Sequence, residues 1–194
     1  MNVYDFDKTI FPKDSSAAFC SYCLRHVSRI VIQPVMPKLL EFFRYMHAGK
    51  QADASQMKEQ IFAFLGSLPD PYGMVSDFWE ENFSLIQPWY LAQARSDDVI
   101  ISASPDFLVR SAAEKLGVSL IATPMDPFSG RILGRNCHDT EKVRRFREEF
   151  PDFEIDDFYS DSLCDTPLAS IADRAFLVKG DIFTPWPLER RKCV

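Results

Sequence analysis

The sequence predicts an α/β protein, a parallel sheet with an all-helical segment inserted between its first two strands. Three observations predict it. A short apolar run, Val3-Tyr4, gives way to two carboxylates two residues apart, Asp5 and Asp7, as a strand does where it enters a loop. From residue 14 to 91 the apolar residues recur at helical spacing, with no strand pattern. From Asp98 onward short β-rich runs alternate with amphipathic stretches, the pattern of parallel strands joined by right-handed crossovers.

The order of elements follows. Asp14-Ser15-Ser16 is an N-cap cluster opening a helix whose stripe is Phe19, Cys20, Cys23, Leu24 and Val27. Pro34 and Pro37 interrupt it, and a second helix carries Leu39, Leu40, Phe42, Phe43 and Met46 to a stop at Gly49. A third spans about Ala54 to Leu65. A fourth follows Pro71 with Val75, Phe78, Trp79 and Phe83, and a short one starts at Pro88. Val99-Ile100-Ile101 is a buried strand ending at Ser102, with Ser104-Pro105 as N-cap and first residue of a helix running to Gly117. Ser119–Ala122 is the next strand, and residues 128–134 form a hairpin turning on Ser129-Gly130. Thr140–Phe150 is a charged helix, Phe153–Tyr159 a strand, Pro167–Ala172 a helix and Ala175–Val178 the last strand. The tail from Leu188 is a solvated end. The division expected is a core of 1–13 and 92–194 with a helical cap of 14–91.

Composition narrows the function. The chain has 194 residues, enough for one substantial core or a core with a smaller attached domain, and its 17 Phe suggest helices packed on aromatic rings. A net charge of −6 argues against nucleic acid or anionic lipid as the primary partner. No apolar run reaches the ~18 residues of a membrane span. No secretory signal is visible, which points to the cytoplasm. Five scattered cysteines fit reduced thiols, and Cys20-x-x-Cys23 lies in a helical pattern with no second pair to complete a zinc site. His26, His47 and His138 are too dispersed for a metal cluster and are expected to be ordinary polar or half-buried side chains.

Carboxylates at a strand tip face the crevice where α/β proteins bind ligands, and two so close require a cation or a shared proton between them. Further polar residues punctuate the later elements: Ser102 at the second strand, Lys142 near the start of the charged helix, and Asp161 and Asp165 after the fourth strand. In order these read Asp5-x-Asp7-x-Thr9, a hydrophobic strand ending in Ser102, Lys142, then Asp161-x-x-x-Asp165. The set resembles the four motifs of the haloacid dehalogenase-like superfamily across the whole chain. The wordings Ile-Ile-Ser102-Ala-Ser-Pro and Tyr-Ser-Asp161 look most like its phosphoserine phosphatase-like branch, in which a helical cap is inserted between the first two motifs. Two positions depart from the pattern: Ser160 and Asp139 stand where relatives usually have Gly.

The resemblance implies a Rossmann-like core and a Mg2+-dependent phosphatase acting on a small phosphoester, with no nucleic-acid partner. Asp5 would be the nucleophile, forming an aspartyl-phosphate, and Asp7 the acid that protonates the leaving alcohol and then activates water. Mg2+ would be held by the Asp5 carboxylate, the Asp7 main-chain carbonyl and Asp161. Asp165 would orient that shell, directly or through Lys142, while Ser102 and Lys142 grip phosphate oxygens and Thr9 braces the loop. Asp14 either lines the pocket for substrate or caps the first insert helix. A dehalogenase would lack Asp7, and an ion pump would need membrane spans. A phosphotransferase using the same intermediate and a non-catalytic phosphate-binding protein are the alternatives.

Overall fold

The computed structural model describes residues 1–26, 37 and 54–187. The expected second helix with His47, the end of the first helix stripe at Val27, and the tail from Leu188 lie outside the described residues. Six strands form one sheet in the order β3-β2-β1-β4-β5-β6. They are β1 (Val3–Tyr4), β2 (Val99–Pro105), β3 (Ser119–Thr123), β4 (Ile155–Ser160), β5 (Ala172–Lys179) and β6 (Ile182–Pro185). All neighbours run parallel except β6, which turns back antiparallel on β5.

β1 is two residues long and central. Val3 pairs with Val99 on one side and Phe158 on the other, so both β1 side chains are completely buried. Side-chain alternation divides the sheet into two faces. Tyr4, Ile100 and Tyr159 point into one core, and Val3, Val99, Ile101 and Phe158 into the other.

The first face is covered by the inserted helices and is rich in aromatic rings. These are α1 (Ser15–His26), α2 (Ala54–Phe62), α3 (Pro71–Asn82) and α4 (Pro88–Gln93), joined on that face by α5 (Asp106–Leu116) after β2. Tyr4 stacks on Tyr159 and meets Tyr90 edge-on, both at 4.9 Å. Cys20 and Cys23 are fully buried in this core, as packing residues of α1. Asp70 caps α3 by accepting the Gly73 N–H at 2.9 Å, with Pro71 opening the helix. Trp79 of α3 donates its indole N–H to the Leu108 carbonyl of α5 at 2.6 Å, tying insert to core. The second face carries α6 (Thr140–Glu149) and α7 (Thr166–Ala169), which bury Phe146, Leu168 and Ala169.

Several expectations change. β2 extends past Ser102 to Pro105, so Ser104 is a strand residue and Pro105 occupies the N-cap position of α5 with no capping side chain. The reason is that the Ser104 hydroxyl is bonded elsewhere, as described below. The third helix is α-helical only to Phe62 and tightens into a 3-10 turn over Ala63–Ser67. The 128–134 hairpin reduces to a turn with a single bridge between Met125 and Ile132. Gly130 there has a φ of 72°, and any Cβ on it would collide with the Phe62 backbone of α2. β5 begins at Ala172, shortening the preceding helix to four residues, and β6 was not expected at all.

Candidate active site

The crevice lies at the carboxyl ends of β1, β2 and β4, where the strands release their loops. Asp5 directly follows β1, Ser102 lies within β2, and Asp161 directly follows β4. A cavity of about 210 Å³ there is lined by Asp5, Asp7, Lys8, Asp14, Ser102, Ala103, His138, Lys142, Asp161, Ser162, Cys164 and Asp165. A larger open groove between α5, β3 and α6 contains none of the motif residues and is edged by arginine and acid side chains.

Lys142 sits in the first turn of α6. Its neighbour Glu141 pairs with Arg144 and Arg145, while the next position on the helix turns inward. The Lys142 ammonium, 2% exposed, donates to Asp5 Oδ1 at 2.7 Å and to Asp165 Oδ2 at 2.8 Å. Burial alone would pull this lysine down, but Asp165 and Asp5 hold it well above the ordinary ammonium range. Burial likewise pushes Asp5 upward, with Asp165 and Asp161 adding, and the adjacent Lys142 ammonium opposes that push without cancelling it. Asp165 also accepts the Ser160 hydroxyl at 2.7 Å, which gives Ser160 a bond that glycine could not make. The buried Thr9 hydroxyl accepts the Asp161 N–H at 3.0 Å and reaches Asp5 Oδ2 at 3.4 Å, joining the loops after β1 and β4.

Asp7 is held by a different set. Its Oδ1 accepts the Ser15 N–H at 2.8 Å, and its Oδ2 accepts the Ser104 hydroxyl at 2.5 Å. Ser15 Oγ in turn donates to Ser104 Oγ at 3.0 Å. Burial, with Asp14 nearby, pushes the Asp7 carboxyl up to about 6, against the opposing hydrogen bonds from Ser104 and Ser15. Burial also raises Asp161 to about 6, although Lys8 pulls it back. One Asp14 carboxylate oxygen accepts the Ala17 N–H of α1 at 2.8 Å, and the residue also lines the cavity.

The structure therefore brings all the motif residues to one place, together with three that the sequence did not single out. Ser104 had been read as a helix cap, but its partner Asp7 lies far away in sequence. His138, read as an ordinary histidine, lines the cavity, with burial pulling its imidazole down. Lys58 of α2 donates to the Ala103 carbonyl at 2.6 Å and to Asn136 Oδ1 at 2.8 Å, and nothing in the local wording Met-Lys-Glu-Gln distinguishes it from a surface lysine.

Among the described residues no group of three or more His, Cys, Asp or Glu side chains is arranged to hold a metal ion. Mg2+ does not need one. It takes one or two carboxylates and keeps several waters, and Asp5 and Asp161 are two carboxylates in the same cavity that could hold it. The donor set fits that ion.

A family model described as haloacid dehalogenase-like hydrolase matches residues 3–170. Protein CicA of Caulobacter vibrioides is 30% identical over 183 residues, covering 88% of this chain and 82% of its own. Among solved structures, a protein of unknown function from Bordetella pertussis Tohama I superposes with a TM-score of 0.75 at 21% identity, covering 90% of this chain and 87% of that one. A phosphoserine phosphohydrolase-like protein from Francisella tularensis does so with a TM-score of 0.60 at 16% identity, covering 90% and 86%. At those identities the two structures share the fold. The motif order, the sheet and the family match over most of the chain together make this protein a member of the haloacid dehalogenase-like hydrolase family.

Proposed function

We propose that the protein is a Mg2+-dependent phosphatase that hydrolyses a small-molecule phosphomonoester through an aspartyl-phosphate on Asp5. The observation that carries the reading is the difference between the partners of two neighbouring carboxyls. Asp5 Oδ1 accepts from a buried ammonium at 2.7 Å, which favours its ionised form against the upward push of burial, whereas Asp7 is held by a neutral amide and a neutral hydroxyl and is raised to about 6. A carboxyl beside a cation that can offset an anionic phosphate, next to one held by neutral donors that can exchange a proton, is the arrangement that nucleophile and general acid require.

In this reading Ser102 and Lys142 hold the phosphoryl oxygens while an Asp5 oxygen forms a bond to phosphorus. The bond from phosphorus to the ester oxygen breaks, and Asp7 gives its proton to the departing alkoxide. Asp7, now ionised, takes a proton from water, which attacks the aspartyl-phosphate and releases inorganic phosphate with Asp5 restored. Asp5, the main-chain carbonyl of Asp7, and Asp161 would hold Mg2+, whose charge offsets that of the phosphate. Asp165 holds Lys142 in place, and Thr9 fixes the spacing of the two acid-bearing loops.

The described helices between β1 and β2 act as a cap on the sheet, and a cavity of about 210 Å³ suits a metabolite better than a folded protein. The test is phosphate release from a panel of metabolite phosphoesters, with and without EDTA, in wild type and Asp5→Asn. Release abolished by both treatments supports the reading. Release that persists in Asp5→Asn overturns the nucleophile, and phosphate binding without turnover across the panel overturns the reaction.

A further inference from the structure

Among the described residues, Lys58 of the insert reaches the backbone of Ala103, a residue that lines the crevice, and its partners are backbone and amide oxygens rather than acids. Its ammonium donates to the Ala103 carbonyl at 2.6 Å and to Asn136 Oδ1 at 2.8 Å. The Thr123 hydroxyl at the end of β3 lies 2.7 Å from the same carbonyl and 3.0 Å from the same amide oxygen, and it accepts the Cys137 N–H at 2.9 Å. One ammonium thus closes a knot between α2, β2, β3 and the segment leading into α6.

The Ala103 carbonyl and the Ser104 N–H are opposite ends of one planar trans peptide unit, so fixing one end aims the other. The Ser104 N–H donates to Ser102 Oγ at 3.1 Å. Accepting that bond fills a lone pair of the Ser102 hydroxyl and leaves its proton free to donate to an anion.

We propose that Lys58 is a positioning residue for Ser102, acting through the Ala103–Ser104 peptide, so that seating the inserted helices is a condition for gripping phosphate. The inference rests on the phosphatase reading for the nature of the anion. Lys58 does not touch the reacting atoms in this account. Its removal from water supports a fixed position: burial pulls its ammonium down to about 8, with Asp14 and Asp7 opposing. α2 has a second anchor, because Glu59 Oε1 accepts the Ile132 N–H at 2.8 Å, so loss of Lys58 need not undock the helix.

The experiment compares Lys58→Met, Lys58→Arg and Glu59→Gln in the full chain. Amide hydrogen exchange over residues 102–106 reads the peptide directly, and inhibition of aryl phosphate hydrolysis by inorganic phosphate reads the grip. Lys58→Met is expected to speed exchange at the Ser104 amide and to weaken phosphate inhibition, each about tenfold. Its kcat should fall about 10- to 100-fold, the scale of a small misplacement of a positioned group. Lys58→Arg should recover part of each loss, and Glu59→Gln should leave the Ser104 amide protected. Should Lys58→Met fail to fold, Lys58→Gln carries the same comparison. Wild-type exchange and wild-type phosphate inhibition in Lys58→Met would overturn the inference. So would a defect confined to substrates with an anionic leaving group, which would put Lys58 on the substrate instead. If wild type hydrolyses no phosphoester the phosphatase reading falls, and the exchange data still decide whether Lys58 sets the peptide.

Discussion

The two walls of the crevice hold their acids by different physics. The wall built by β1, β4 and α6 is ionic and closed: a buried ammonium lies between Asp5 and Asp165, with Ser160 and Thr9 completing the contacts. In the wall built by β2 and the insert the charged groups are held by neutral partners, with Ser104 and Ser15 on Asp7 and a carbonyl and an amide on Lys58. A charge in the first wall cannot be removed without stranding its opposite in a low-dielectric interior. The second wall adjusts protonation in smaller steps, because each hydroxyl it contributes adds one hydrogen bond to one state of one acid. In the proposed mechanism the ionic wall fixes where a phosphate sits, and the neutral wall sets how easily Asp7 gives up its proton.

The ionic wall should respond most. Lys142→Met leaves two carboxylates facing each other without their cation, and is expected to lower activity by at least about a thousandfold and stability by about 3 kcal/mol. Urea denaturation checks the second figure. Adding Asp165→Asn to the same chain should return part of the stability and none of the activity; a double variant no more stable than the single one would show that the two carboxylates do not strain the site.

The neutral wall should give a smaller, pH-shaped effect. The Ser104 hydroxyl favours the ionised form of Asp7, so Ser104→Ala raises Asp7 above its value of about 6. A higher Asp7 pKa keeps the general acid protonated to higher pH, so the descending limb of the kcat/KM profile should move up by about one unit. The hydrolytic half-reaction needs ionised Asp7 and should slow at acid pH. A descending limb that stays in place would remove Ser104 from the tuning of Asp7.

The smallest effect concerns the entry to α6. Asp139 has φ 55° and ψ −129°, a conformation that only glycine adopts without cost, and it immediately precedes the helix that presents Lys142. Asp139→Gly is expected to stabilise the protein by about 1 kcal/mol, a rise in Tm of about 2–4 °C by calorimetry. An unchanged or lowered Tm would mean that the Asp139 carboxylate contributes more than its backbone costs.

What the sequence revealed follows the same division. The ionic wall was legible because its residues interrupt apolar strands: Asp5 and Asp161 are acids at the tips of β1 and β4, where a surface turn alone would not follow so buried a run. Their joint order identified Lys142, which in isolation looks like any lysine on a charged helix. Ser104 was not legible because a hydroxyl before Pro105 suits a helix cap equally well, and only a carboxylate brought in from residue 7 decides between them. Lys58 has the same ambiguity, since its partners come from β2 and from residue 136. β6 was missed because its four residues are all exposed and show no alternation, their pairing being supplied by β5.

The central position of β1 has a consequence for how the molecule comes together. Its two residues hydrogen-bond to strands that arrive much later in the chain, Val3 beside Val99 and Phe158. The β2-α5-β3 unit is local and can close a short loop, whereas the sheet around β1 must first meet the entropy of two long loops. Ser102 therefore has its strand before Asp5 has either neighbour. During refolding, protection of β2 and β3 amides should precede recovery of catalysis, and Asp5, the proposed nucleophile, becomes a clock for the last pairing event rather than the first.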